Sequence, residues 1–153
     1  MAIPASPATV DERRYRLLHA AALMSLFCVG MYAAAFGPVM PFVADDLDVS
    51  LDTAGLLLTA LFSGSIVASA AVAVALHRSD TRVLTLWGLG AVVAGAIVLG
   101  AAPTWSAALA GSAVLGAGDG LIIAALHILM ARTSRDVPAA INRLNMFFAV
   151  GAV

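Results

Sequence analysis

This sequence contains no lysine, a single cysteine and few charges of either sign. Charged residues make up 11% of its 153 positions, less than half of the roughly 25% usual in soluble proteins. That is too little polar material to cover a water-facing surface. A net charge of -1 built on eight arginines leaves no basic stripe to follow a phosphate backbone, which excludes nucleic acid as a partner. Cys28 sits in an apolar run, has nothing to pair with in an internal disulfide, and reads as a small core hydrophobe. No two of the three histidines have metal-ligand spacing. Neither a metal nor a cofactor is expected.

What the chain has in abundance is apolar length. Hydrophobic residues make up 62% of it and the mean hydropathy is +1.01, so its surface must face lipid. A bilayer core of about 30 Å takes about 20 apolar residues in a helix. Stretches free of Asp, Glu, Lys and Arg predict spans at about 17–39, 53–76, 83–102 and 105–131, the last interrupted by Asp119. Gly37, Pro38 and Pro41 should loosen the far end of the first span. Asp45, Asp46, Asp48 and Asp52 form an acidic loop, and Pro103 punctuates the chain before the fourth span. A fifth helix opens at Pro138 with only 16 residues left to Val153, short of a crossing. Residues 1–16 are expected as a disordered cytoplasmic tail and 17–153 as a partial membrane domain. A signal peptide over Leu17 onward is disfavoured, because the apolar run exceeds a usual h-region and further spans follow.

The arginines orient the spans. Arg13, Arg14 and Arg16 precede the first, Arg78 and Arg82 separate the second and third, and Arg132, Arg135 and Arg143 surround the link between the fourth and fifth. The two remaining loops hold none, so the positive-inside rule puts the N-terminus in the cytoplasm.

Helices associate in lipid through small residues at four-residue spacing. Ala60, Gly64 and Ala68, then Ala91 and Gly95, Ala96 and Gly100, and finally Ser112, Gly116 and Gly120 provide such stripes. On the fourth span Ser112, Gly116, Gly120 and His127 share one face at about 100° per residue, with Asp119 on its border. Val114, Leu121, Ile122, Ala125, Ile128 and Leu129 occupy the other, which is expected to face lipid.

Asp119 lies midway along its span, where a carboxylate costs roughly 2.5–3.5 kcal/mol. It reads either as a proton-accepting or cation-binding group on a transport path or as a structural residue that stays protonated or satisfies backbone loosened by the surrounding glycines. His127, about 12 Å further along the axis, is a relay candidate or a packed histidine. Tyr32 could bond a solute or a neighbouring helix, and Asn142 and Asn145 could line a cavity or bond across helices. Gly116-Ala117-Gly118-Asp119-Gly120 is no nucleotide fingerprint, since no strand precedes it and its spacing is wrong. The serines have no His and carboxylate partners within reach, so an enzyme is not expected.

The order of these features resembles a known family. Pro41-Phe42-Val43-Ala44-Asp45-Asp46-Leu47-Asp48-Val49-Ser50, then Ala54-Gly55 and Thr59-Ala60 ahead of Gly64, is similar to the passage between the first two helices of the major facilitator superfamily. Leu115-Gly116-Ala117-Gly118-Asp119-Gly120 and Arg143-Leu144-Asn145-Met146-Phe147-Phe148-Ala149-Val150-Gly151-Ala152 resemble its fourth and fifth helices. The family's G-x-L-A-D-R-x-G-R-R gating motif is degraded to Ala73-Val74-Ala75-Leu76-His77-Arg78-Ser79-Asp80-Thr81-Arg82, in which Arg78 and Arg82 fit and Asp80 is a displaced carboxylate.

The resemblance implies an all-α polytopic integral membrane bundle like the N-terminal half of a twelve-helix transporter, here truncated, which moves a small solute by alternating access. It places Tyr32 and Asp119 near the solute path, with protons as a possible coupling ion, and the residues themselves add His127 and Asn145 as further candidates. Partners are then the lipid bilayer, a small solute, and the missing C-terminal helices or a partner chain. The alternative is a short non-transporting membrane protein that acts in assembly, or a remnant. The isolated chain, with an incomplete fifth helix, is not expected to transport.

Overall fold

A computed structural model describes residues 7–76 and 79–153. The described residues are helical apart from short links: α1 is Pro7–Asp46, α2 Leu51–Ala54, α3 Leu56–Ala71, α4 Thr81–Gly100, α5 Trp105–Thr133 and α6 Val137–Gly151. A π-helical turn, Val72–Leu76, extends α3. Glu12–Asp46, Leu51–Val74, Thr81–Gly100 and Trp105–Thr133 are each long and apolar enough to cross a membrane. The all-α membrane architecture expected from composition holds. The 15 residues of α6 cover about 22 Å at 1.5 Å each.

The first helix departs most from expectation. It begins at Pro7 and runs through residues 7–16, which were expected as tail, and it keeps Pro38 and Pro41 inside. Proline removes a donor and displaces the carbonyl four residues back, yet membrane helices tolerate it where neighbours re-satisfy the backbone. Asp48, with φ 51°, ends the helix instead. Its N–H donates to Asp45 O and that of Val49 to Ala44 O, at 3.3 and 3.0 Å, which is a Schellman closure with aspartate at the left-handed position.

Short polar side chains start α2, α4, α5 and α6. Ser50 Oγ accepts from Thr53 N at 3.2 Å, Asp80 Oδ1 from Arg82 N at 2.9 Å, Thr104 Oγ1 from Ala107 N at 3.4 Å, and Asp136 Oδ1 from Ala139 N at 3.2 Å. Each satisfies one donor that a helix N-terminus leaves orphaned.

The helices pack as two units. In the first, α5 lies between α3 and α4 at backbone contact. A Cβ on Gly116 would lie 2.6 Å from the Leu61 carbonyl carbon of α3, and one on Gly118 2.6 Å from Gly88 O of α4. Ser112 Oγ donates to Leu57 O at 2.7 Å and Ser69 Oγ to Gly120 O at 3.2 Å, tying α3 to α5. In the second unit α1 packs on α6, where a Cβ on Gly30 would lie 3.0 Å from Ala152 N and one on Gly151 3.0 Å from the Phe27 carbonyl carbon.

Larger side chains join the two units. Ala22, Leu26 and Val29 of α1 meet Ile122, Leu126 and Met130 of α5 and Ala140 and Leu144 of α6. A second cluster gathers Met40, Ala44, Ala54, Leu57 and Ala108.

Two sequence-based expectations need correction. Ile122 and Ala125, assigned to a lipid-facing side of α5, are buried, because α5 carries a second small-residue face that admits α4. Cys28 is exposed on α1, where lipid is as acceptable to a thiol as a core would be. The outward surface is otherwise apolar, with Phe42, Ile66, Val67, Val74, Leu86, Trp87 and Ile97 all exposed, as contact with bilayer hydrocarbon requires.

Candidate functional site

Asp119 occupies the middle of α5, 14 residues after Trp105 and 14 before Thr133, so about 21 Å of helix separates it from either end. It is 7% exposed. The α3 contact (Ser112, Gly116, Gly120) and the α4 contact (Gly111, Leu115, Gly118, Ile122) lie roughly 130° apart around the helix at about 100° per residue. Asp119 projects between them, toward α1. The same sector carries Leu126 and Met130, which pack on α1 in the first apolar cluster.

Tyr32 meets it from α1. The tyrosine hydroxyl and the carboxylate lie within electrostatic reach of each other. Tyr32 Oη and Asp119 Oδ1 are both buried and unpartnered, and among the described residues they are the two side-chain atoms in that condition. Buried polar groups are otherwise nearly always bonded, so the pair stands out at the level where apolar clusters lie on either side of it along α5. A cavity of about 300 Å³ opens beside Tyr32, lined otherwise by apolar side chains that include Phe36 and Met40 of α1, Val92 and Leu99 of α4, and Leu115 of α5.

The remaining candidates lie elsewhere. His127 is half-buried and its Nδ1 donates to Ile123 O at 2.8 Å, a bond within its own helix that leaves it about two turns from Asp119. Asn145 is exposed on α6 and is not among the residues lining the Tyr32 cavity. Asp80 caps α4, while Arg82 is exposed. Both border a groove with Arg14 of α1. Arg78 lies outside the described residues.

Sequence reasoning singled out Tyr32 and Asp119 separately but did not place them face to face from the residues alone. It also missed the α4-facing stripe, although the signal was there: Gly111 and Gly118 lie seven residues apart, two helical turns, on the same side as Leu115 and Ile122.

The described arginines gather at one end of the bundle. One groove holds Arg14 with Arg82, and a second holds Tyr15 and His19 of α1 with Arg135 and Arg143. Asp45, Asp46, Asp48 and Asp52 lie at the other end of α1 and the start of the next span.

No curated protein and no solved structure matches this chain. The sequence model of the Major Facilitator Superfamily matches residues 22–153, all but the first 21 residues and the whole of α2 to α6. This chain, a multi-pass bundle of apolar helices with a buried carboxylate at mid-span, therefore belongs to the Major Facilitator Superfamily.

Proposed function

We propose that this chain serves as the N-terminal portion of a transporter that carries a small solute across the membrane by alternating access, with Asp119 and Tyr32 at the solute or proton-coupling position. The observation that carries this reading is the pair of buried, unpartnered polar atoms, Tyr32 Oη and Asp119 Oδ1. A mid-span carboxylate costs roughly 2.5–3.5 kcal/mol. With Oδ1 left without a partner, that cost is offset when a proton or a donor group of the solute sits at that oxygen. The arginine-rich end is proposed to face the cytoplasm, since the polar grooves there collect positive residues and the opposite end is acidic.

The test is uptake of a panel of labelled sugars, amino acids, organic anions and organic cations by cells expressing the chain from its native reading frame. Asp119→Asn is expected to abolish accumulation of the transported solute and its dependence on the pH gradient, while Tyr32→Phe weakens uptake. Unchanged uptake and unchanged pH dependence in Asp119→Asn would make the carboxylate structural and overturn the assignment.

A further inference from the structure

The described residues include a second polar site, far from Asp119. At the arginine-rich end a cavity of about 510 Å³ opens between α1, the end of α5 and the start of α6, lined by residues that include Tyr15, His19, Ser134, Arg135, Asp136 and Arg143. Its wall is preformed. His19 Nδ1 lies 3.0 Å from Tyr15 O, and since a carbonyl only accepts, that nitrogen carries the hydrogen. Nε2 lies 3.1 Å from Ser134 Oγ, so the one ring bonds both its own helix and the end of α5. Thr133 Oγ1 donates to Leu129 O at 2.7 Å. The Tyr15 and His19 rings lie against each other, tilted by 37°, with centroids 4.0 Å apart. These bonds pin the end of α5 to α1 and hold the cavity open beside α6.

The charge of the lining is unbalanced. Arg135 and Arg143 are exposed and, among the described residues, carry no ion pair. The one carboxylate in the lining, Asp136, accepts from Ala139 N through Oδ1 as the N-cap of α6. Two arginines thus line a cleft that also includes the apolar side chains of Leu23, Met130 and Ala140, at the end of the long apolar helices α1 and α5. Guanidinium forks match phosphate oxygens bidentately, and basic pockets between membrane helices hold lipid headgroups.

We propose that this cleft binds one phosphate group, held by Arg135 and Arg143, with those apolar side chains alongside the chain of the molecule that bears it. A phospholipid headgroup and a soluble phosphate share this chemistry, and the test separates them. Purified protein in detergent is titrated with dioctanoyl phosphatidic acid, dioctanoyl phosphatidylcholine and inorganic phosphate, and thermal unfolding is followed. Phosphatidic acid is expected to raise the unfolding temperature saturably. Arg135→Gln/Arg143→Gln is expected to weaken the half-saturating concentration by about tenfold or more, the scale of losing charge-assisted bonds. Both arginines are exposed, so the double variant removes no core packing. Arg13→Gln/Arg16→Gln, at the same end but bordering a separate groove, should stay within about twofold of the parent under the same single-site reading.

A matching saturable shift with inorganic phosphate, lost in the Arg135/Arg143 variant, identifies a soluble phosphate as the ligand. A shift with phosphatidic acid alone identifies a headgroup. Equal weakening by both double variants, an equal shift with phosphatidylcholine, or no shift with any of the three overturns the proposal.

Discussion

The interfaces inside the two helical units differ in kind from the seam between them. Within α3–α5–α4 and within α1–α6, glycines bring backbones so close that an added Cβ would strike a neighbouring main chain. Across the seam between α1 and α5 no described glycine makes such an approach, and contact passes through Leu26, Val29, Ile122, Leu126 and Met130. In lipid there is no hydrophobic force between helices, so close backbone packing supplies the association. The units are therefore fixed by shape, whereas the seam is held by side chains that can change rotamer. The unpartnered pair and the apolar cavity both lie along that seam, where a small displacement leaves the glycine contacts intact.

The largest effect is expected inside a unit. Gly116→Val sets a branched side chain against the Leu61 backbone, and main chain cannot yield as a rotamer can. Overpacking typically costs 1–3 kcal/mol, and here about 3 kcal/mol or more is expected, read as loss of the monodisperse peak in detergent size-exclusion chromatography. A well-behaved variant with an unchanged unfolding temperature would erase the distinction between unit and seam.

At the seam the sign reverses. Asp119→Leu removes the mid-span carboxylate and is expected to stabilise the bundle by about 2 kcal/mol, somewhat below the insertion cost of the charge, while eliminating uptake. A higher unfolding temperature together with lost transport would show that the carboxylate is kept for function. Destabilisation would show that it holds the two units together.

Ser112→Ala tests the hydrogen bond to Leu57 O with little change in packing. A loss of about 0.6 kcal/mol, and no more than about 1.7, is expected from the measured worth of interhelical bonds in membranes. Chemical unfolding in mixed micelles would resolve it. The smallest effect belongs to Gly90→Ala. Gly90 is exposed on α4 with open space where a Cβ would go, so this substitution should be neutral or stabilise by up to about 1 kcal/mol through helix propensity. A clear destabilisation would reveal a neighbour on that face.

Much of the architecture was legible because the relevant physics is local. Apolar runs long enough for hydrocarbon, Pro103 and Pro138 at helical starts, and arginines confined to alternate links are one-dimensional features. The site was half legible. A carboxylate in the middle of an apolar run is conspicuous in any sequence, but Tyr32 lies 87 positions from Asp119 and no periodicity relates them. His127 and Asp80 look equally eligible for chemistry until their bonds are seen, one within its own helix turn and one at a helix cap. The lipid face assigned to Ile122 and Ala125 went wrong for a related reason. Side-chain size separates lipid from interior poorly, since both are apolar, and only the position of α4 shows which side is covered.

Composition and spacing by themselves determined that the chain is helical and membrane-embedded, because a bilayer core accepts only backbone that satisfies its own hydrogen bonds. They also determined that one carboxylate must be accommodated at mid-span. Tertiary structure alone decided which glycines meet which carbonyls, that Asp119 turns toward Tyr32, and that His19 and Ser134 brace a cleft beside two arginines. Those outcomes depend on how five long helices rotate against one another, and a rotation angle set by contacts between distant segments leaves no mark on any single one of them.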